Sequence, residues 1–332
     1  MPKLKDTEYL SISARVRAME NRLLTRERME RMVEARSDED AAKVLLECGY
    51  GELPTLTPGA LDELLAKARG AVFADLRASV PDPGLLDVFQ MKYDYHNAKV
   101  LIKAEAMGND GARLLMDGGR YPKDKLADGY RRDDLRDLND RFRRAIAEAR
   151  ELLASSGDPQ RSDFVLDRAY FEEMAQAARD LGSDFLLGYV KLSIDVVNLR
   201  SVVRAARMNK GTEFLAQVLI PGGNVDVRAL ASAKSGDLES AFRAGRLAEA
   251  AALGASLASP EGGALTAFEK ACDDAVTGYL AQARRIPFGE HPIIGYLYAR
   301  EAEITAIRTI MSGRMAGLSG ERIRERLREA YV

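Results

Sequence analysis

Asp94, Asn97 and Lys99 stand in the middle of a long apolar stretch, Phe89–Gly108 (FQMKYDYHNAKVLIKAEAMG), with His96, one of only two histidines in the chain, beside them. An acid, an amide, a base and an imidazole within six residues could do general acid–base work or hold a metal ion. The spacing weighs against both. On a helix, positions i and i+3 share a face, so Asp94 and Asn97 can act together, but i+5 lies about 140° further round and takes Lys99 elsewhere. His96 is two residues from Asp94 and points to another face; His291 precedes Pro292 at a helix start, and no HExxH string or carboxylate–histidine metal spacing is present.

Other chemistries lack their residues as well. The glycine pairs Gly118–Gly119 and Gly222–Gly223 are not followed by Lys-Ser or Lys-Thr, so no phosphate-cradling loop is expected; they read as turns in which glycine permits positive φ. There is no G-x-S-x-G elbow, and Cys48 and Cys272 stand alone, which excludes a disulfide framework and a cysteine-built zinc site and fits a reduced cytoplasmic setting. Acid pairs such as Asp133–Asp134 and Asp273–Asp274 read as solvated helix faces. We therefore expect no catalytic residue, no cofactor and no metal. The formal net charge of −2 gives no bias toward nucleic acid or anionic lipid. Residues 1–36 are mildly basic, with nine Lys/Arg (including Lys3) against six acids, and read as a solvated helix. The opening MPKLKDTEYL carries no apolar signal core, and no window approaches 18 uninterrupted apolar residues, so no membrane span is expected.

The elements that must position these residues are helices. Apolar positions recur at helical spacing almost throughout, and Gly and Pro supply the punctuation. RRDDLRDLNDRFRRAIAEARELL puts Leu135, Leu138, Phe142, Ile146 and Ala149 on one stripe and predicts a single amphipathic helix. DEDAAKVLLECG ends on Gly49, a helix stop, and SGERIRERLREAYV sets Leu318, Ile323, Leu327 and Ala330 on one side of a last helix. The pattern predicts an all-α protein of about a dozen helices.

The opening stretch also recurs. KYDYHNAKVLIKAEAMG aligns with KLSIDVVNLRSVVRAARMN and with YAREAEITAIRTIMSGRM, so Asp94, Asn97 and Lys99 match Asp195, Asn198 and Arg200, then Glu303, Ala306 and Arg308. LLMDGGRY at 114–121 matches VLIPGGNV at 218–225, and a weaker echo links 35–49 with 233–245. A period near 105 residues in this chain predicts three related helical bundles in a pseudo-threefold body, approximately 1–108, 109–211 and 212–332, with Tyr9–Leu24 as a poor further match. The repeated helices are apolar nearly all round and predict burial, where a charge needs a partner. We expect the acid of one repeated helix to meet the base of the next, with Lys191 as an alternative partner for Asp195.

At these residues the chain resembles a known family, the C subunits of the V-type (archaeal-type) ATPases and ATP synthases, counterparts of the d subunit of the eukaryotic vacuolar ATPase. The resemblance rests on YLSISARVRAMENRLLT, DYHNAKVLIKAEAMG and HPIIGYLYAREAEITAIRTIMSGRMAGLSGERIRERLREAYV, above all on Glu301 to Arg308 and the closing Tyr-Val. It implies an all-helical, funnel-like body with pseudo-threefold symmetry. It implies a non-catalytic rotor subunit, one copy per complex and monomeric when isolated, peripheral on the cytoplasmic face. There it would seat the D and F subunits of the central stalk on the membrane proteolipid ring and transmit torque between ATP chemistry and H⁺ or Na⁺ movement. A free-standing helical scaffold is the competing expectation.

Overall fold

The computed structural model describes residues 4–232 and 235–332. Lys3 and the start of the 233–245 echo lie outside the described residues. The described residues form helices, turns and connecting segments, with no strand. In chain order the α-helices are α1 (Leu10–Glu20), α2 (Arg26–Glu34), α3 (Asp38–Glu47), α4 (Pro58–Arg77), α5 (Gly84–Ala106), α6 (Lys123–Arg131), α7 (Asp140–Ser156), α8 (Pro159–Asp180), α9 (Asp184–Arg207), α10 (Thr212–Val218), α11 (Val227–Ser232), α12 (Ser235–Phe242), α13 (Ala248–Leu257), α14 (Thr266–Leu280), α15 (Glu290–Met315) and α16 (Gly320–Arg324). They fall into two compact units. One is residues 83–234; the other combines 2–82 with 235–332.

Side-chain oxygens at helix starts satisfy backbone N–H groups that have no partner inside the helix. Thr25, Ser37, Thr57, Asn139, Asp158, Ser183 and Ser319 all cap in this way, and Pro58 and Pro159 open α4 and α8 where a missing N–H costs nothing. Gly49 ends α3 with a left-handed φ of +79°, as its sequence position predicts.

In the unit of residues 83–234, α5 packs on α6, α7 and α8, while α9 packs on α8, α10 and α11. Tyr95 sits 4.7 Å from the Phe142 ring, and Phe89 stacks on Tyr189 at 5.7 Å. Lys99 bonds Asp167 and Lys103 bonds Asp163, each at 2.6 Å, which sets α5 antiparallel to α8. In the other unit α15 is the central helix, packed by α1, α2, α3, α4, α14 and α16. Its core includes Met32, Leu45, Leu61, Leu65, Ile307 and Ile310, each with almost no exposed surface. Burying such a side chain contributes about 1.5–3 kcal/mol.

Two predicted helices are shorter than their patterns. The stretch around residues 131–153 is broken: α6 stops at Arg131, Asp133 takes a left-handed φ of +55°, and Asn139 accepts the Phe142 N–H at 2.9 Å to begin α7 afresh. Leu138, Phe142, Ile146 and Ala149 are still buried, so the stripe survives the break in the backbone. After Ser319, α16 runs only five residues. Ile323 and Leu327 reach the core of their unit, and the remainder lies along α14 and α15 without helical bonds. There Arg328 bonds Asp273, the Glu329 N–H bonds Asp274, and the buried Tyr331 lies against Gly295.

Candidate functional site

Asp94, in the middle of α5, has no exposed surface. Its carboxylate accepts from Arg120 Nε at 2.6 Å and from the Tyr121 N–H at 3.3 Å. One helical turn away Asn97 bonds Met116 in both directions: its Nδ2 donates to the Met116 carbonyl at 2.9 Å and its Oδ1 accepts the Met116 N–H at 2.8 Å. Gln90 donates to the carbonyls of Gly118 and Gly119. One face of α5 therefore holds the whole strap 116–121 against itself. Behind the strap, Arg120 Nη1 reaches Glu173 of α8 at 2.6 Å, and Glu173 also accepts from the Tyr95 hydroxyl and from Asn139 Nδ2, each at 2.8 Å. Burial pushes the Asp94 carboxyl up to about 6, against the opposing pull of Arg120.

The arrangement recurs on α9. Asp195 accepts from the Asn224 N–H at 2.9 Å, from Asn224 Nδ2 at 2.8 Å and from the Val225 N–H at 3.2 Å. Asn198 bonds Ile220 in both directions at 2.8 Å. Burial raises the Asp195 carboxyl, and the Asn224 amide, the two backbone N–H groups and Lys191 oppose it. The two glycines of each pair do different things. Gly118 and Gly222 take positive φ, +107° and +99°, as the turn reading predicts. Gly119 and Gly223 carry no side chain because the acid is there: a Cβ on either would fall on the carboxylate of Asp94 or Asp195.

On α15 the third acid, Glu303, is buried and accepts the Leu24 N–H, the Tyr50 hydroxyl at 2.6 Å and Arg300 Nη1 at 2.5 Å. Arg300 also lies over the Tyr50 ring, 4.7 Å from its centroid. Burial raises the Glu303 carboxyl against the attraction of Arg300, and burial next to Glu303 holds the Tyr50 hydroxyl well above the usual phenol range. Ala306, where the other helices carry Asn, has no side-chain amide to offer.

For Asp94, Lys99 and Arg308, contacts inside each unit stand where the acid of one repeated helix was expected to meet the base of the next. Asp94 takes Arg120, Lys99 takes Asp167 and Arg308 takes Asp62 at 2.8 Å; Arg200 is half-buried on α9. The i+5 geometry is the cause, since each base leaves its helix on a different side from the acid. His96 is half-exposed and bonds the Leu114 carbonyl, and His291 with Pro292 lies in the first turn of α15. Gln90, Arg120, Glu173, Asn224, Tyr50 and Arg300 belong to the clamps but carry no repeated sequence signal of their own. Among the described residues no three His, Cys, Asp or Glu side chains gather as a metal site. What these buried carboxylates can do chemically is fix backbone: each draws its N–H donors from a connecting strap or segment and holds it on a helix.

The profile of the ATP synthase (C/AC39) subunit family matches residues 12–326. The chain is 25% identical over 327 residues to the C subunit of the V-type sodium ATPase of Enterococcus hirae, covering 98% of this chain and 99% of that one. It is 26% identical over 352 aligned positions to the C subunit of the A-type ATP synthase of Methanocaldococcus jannaschii, covering 96% and 86%. The match to the C subunit of the A-type ATP synthase of Halobacterium salinarum reaches 30% identity over 173 residues, about half of each chain.

Proposed function

The chain belongs to the ATP synthase (C/AC39) subunit family, and on that premise we propose that it is a non-catalytic rotor subunit of a V/A-type ATPase complex. In this role it docks the central stalk, made of the D and F subunits, onto the membrane proteolipid ring, one copy per complex, on the cytoplasmic face, and transmits torque for ATP-coupled H⁺ or Na⁺ transport. The reading includes the division into three repeats, approximately 1–108, 109–211 and 212–332, the funnel-like body the resemblance implies, and the correspondence with the eukaryotic d subunit. Attachment runs through the ring, since no described helix is long and apolar enough to cross a membrane.

The observation that carries the proposal is the family match along residues 12–326, and the clamps fit the task it names. A part that passes torque must not yield internally. Here the segments most able to yield, the connections between helices, are tied to helix interiors by buried acids and amides. Buried polar networks with satisfied partners rigidify a fold and specify one arrangement. Omitting this chain from a reconstituted complex of head, central stalk and ring in vesicles tests the role. ATP hydrolysis should continue while ATP-driven ion uptake is lost. Uptake unchanged in its absence refutes the reading.

A further inference from the structure

The first clamp holds two carboxylates where each of the others holds one. One cation, Arg120, lies between two carboxylates, Asp94 and Glu173, with 2.6 Å to each. The three side chains are at most 12% exposed. With both acids ionised the cluster holds one uncompensated negative charge in a place where water cannot screen it. Arg120 Nη2 is buried with no hydrogen-bond partner among the described residues. On α15, by contrast, Glu303 faces one cation, Arg300, and on α9 Asp195 is held by amide donors.

Asp94 is the acid whose carboxyl burial raises. Glu173 accepts three short bonds, from Arg120, Tyr95 and Asn139. Asp94 has only Arg120 Nε and the long 3.3 Å bond from Tyr121. The other titratable and charged groups facing the cluster do not remove the excess. From the strap they are Arg120 and Tyr121; from α7, Arg141 acts on Tyr95 and is paired with Glu172; from α6, Lys123 is held by Asp117.

We propose that Asp94, Arg120 and Glu173 form a proton-responsive latch on the strap 116–121, tightened by uptake of one proton on Asp94 and loosened as that proton leaves. The direction follows from linkage. Closed, Asp94 holds its proton up to about pH 6. With the strap open and the carboxyl hydrated, its value returns to about 3.9. The closed strap therefore binds the proton more tightly, and its advantage, complete below about pH 4, is lost as pH rises through about 6. Losing the ion pair on protonation does not reverse this, because neutral Asp94 still accepts through its carbonyl oxygen and Arg120 keeps Glu173.

Hydrogen exchange of the full chain, corrected for the intrinsic pH dependence of amide exchange, tests the proposal. Between pH 5 and pH 7 the opening equilibrium of the strap should rise about tenfold, read at the amides of Arg120 and Tyr121. Glu173→Gln removes the surplus charge yet retains the geometry: its oxygen accepts from Arg120 and Asn139, and its amide donates to the Tyr95 oxygen. In this variant the loss of protection with rising pH should lessen, because the repulsion from Glu173 is gone while the burial of Asp94 remains, and Asp94→Asn, which abolishes the titration itself, should remove it. Equal protection of the wild-type strap at pH 5 and pH 7, or an Asp94→Asn protein that still loosens about tenfold, overturns the latch.

Discussion

Replacing Gly223 by alanine should open the strap 220–225 without altering a helix. The Gly223 backbone is not in the left-handed region, so alanine can adopt its conformation. The obstacle is the Asp195 carboxylate, which the new methyl would strike, with Ile194 Cγ2 3.2 Å from the same position. The carboxylate is buried in α9, and moving it forfeits bonds from the Asn224 N–H, Asn224 Nδ2 and the Val225 N–H. A hydrogen bond to a charged group is worth about 1.5–3 kcal/mol, and overpacking costs about 1–3 kcal/mol. One forfeited bond with some remaining crowding comes to about 3 kcal/mol, or about a hundredfold in the opening equilibrium. Hydrogen exchange of the full chain at Asn224 and Val225 reads this directly. Asp195→Ala removes what the methyl strikes, so the double variant should be little worse than Asp195→Ala alone, a coupling of about 2–3 kcal/mol. Gly222→Ala is the contrast. Its cost, about 1–2 kcal/mol, comes from a φ of +99° and should add to Asp195→Ala, since the backbone strain has nothing to do with the carboxylate. Protection in Gly223→Ala within about threefold of wild type, or simple addition with Asp195→Ala, would refute the close-approach argument.

Two further outcomes follow from the same geometry. Asn198→Asp should lower chemical stability by about 3 kcal/mol, read as a reduced urea midpoint by circular dichroism, because aspartate cannot donate to the Ile220 carbonyl and brings a buried charge to face it; Asn97→Asp should act in the same direction through Met116. Gly295→Ala should release the chain end, since its methyl would meet the Tyr331 hydroxyl and the Ala283 methyl. Limited proteolysis should then cut within residues 325–332 faster than in wild type, and Tyr331→Phe in the same chain should recover part of the protection by removing the hydroxyl.

The sequence carried the clamps as two separate signals. The acid-x-x-Asn pattern and the Gly-Gly loop were both visible as repeats, and their joint occurrence marked structure rather than catalysis. What a linear reading could not supply is that the second glycine of each pair lies on the acid of the preceding helix, 25 residues away for Asp94 and Gly119 and 28 for Asp195 and Gly223. That contact is tertiary, and glycine looks the same whether it is needed for φ or for space. The base at i+5 misled for the opposite reason. It repeats, but helix geometry sends it to a different neighbour, so Lys99 and Arg308 pair with α8 and α4. The long helices were legible from periodicity, although sixteen α-helices are described where about a dozen were expected. The break before Asn139 was not, because the apolar stripe continues across it while the backbone is redirected by Asp133 and a single cap. The third clamp was hidden by chain order: its acid lies near the end of the sequence, whereas the N–H it holds belongs to Leu24 and its phenol to Tyr50.

The three clamps are alike in geometry and unlike in electrostatics, and the difference follows from what a buried carboxylate requires. It needs enough hydrogen-bond donors aimed at it; it does not need a particular residue to supply them. Asn224 does on one strap what Arg120 does on the other, and Tyr50 with Arg300 serves Glu303. A sequence can therefore change its donors while the strap stays in place. The choice of donor is not neutral with respect to protons. An amide donor adds no charge, a guanidinium adds one, and a guanidinium shared with Glu173 leaves one acid too many. Position in the fold is thus set by hydrogen bonding, whereas response to pH is set first by the burial of each acid and then by the charges around it. The strap held by Asp94, whose buried carboxyl is pushed up to about 6 and shares one guanidinium with a second acid, should change its grip near neutral pH.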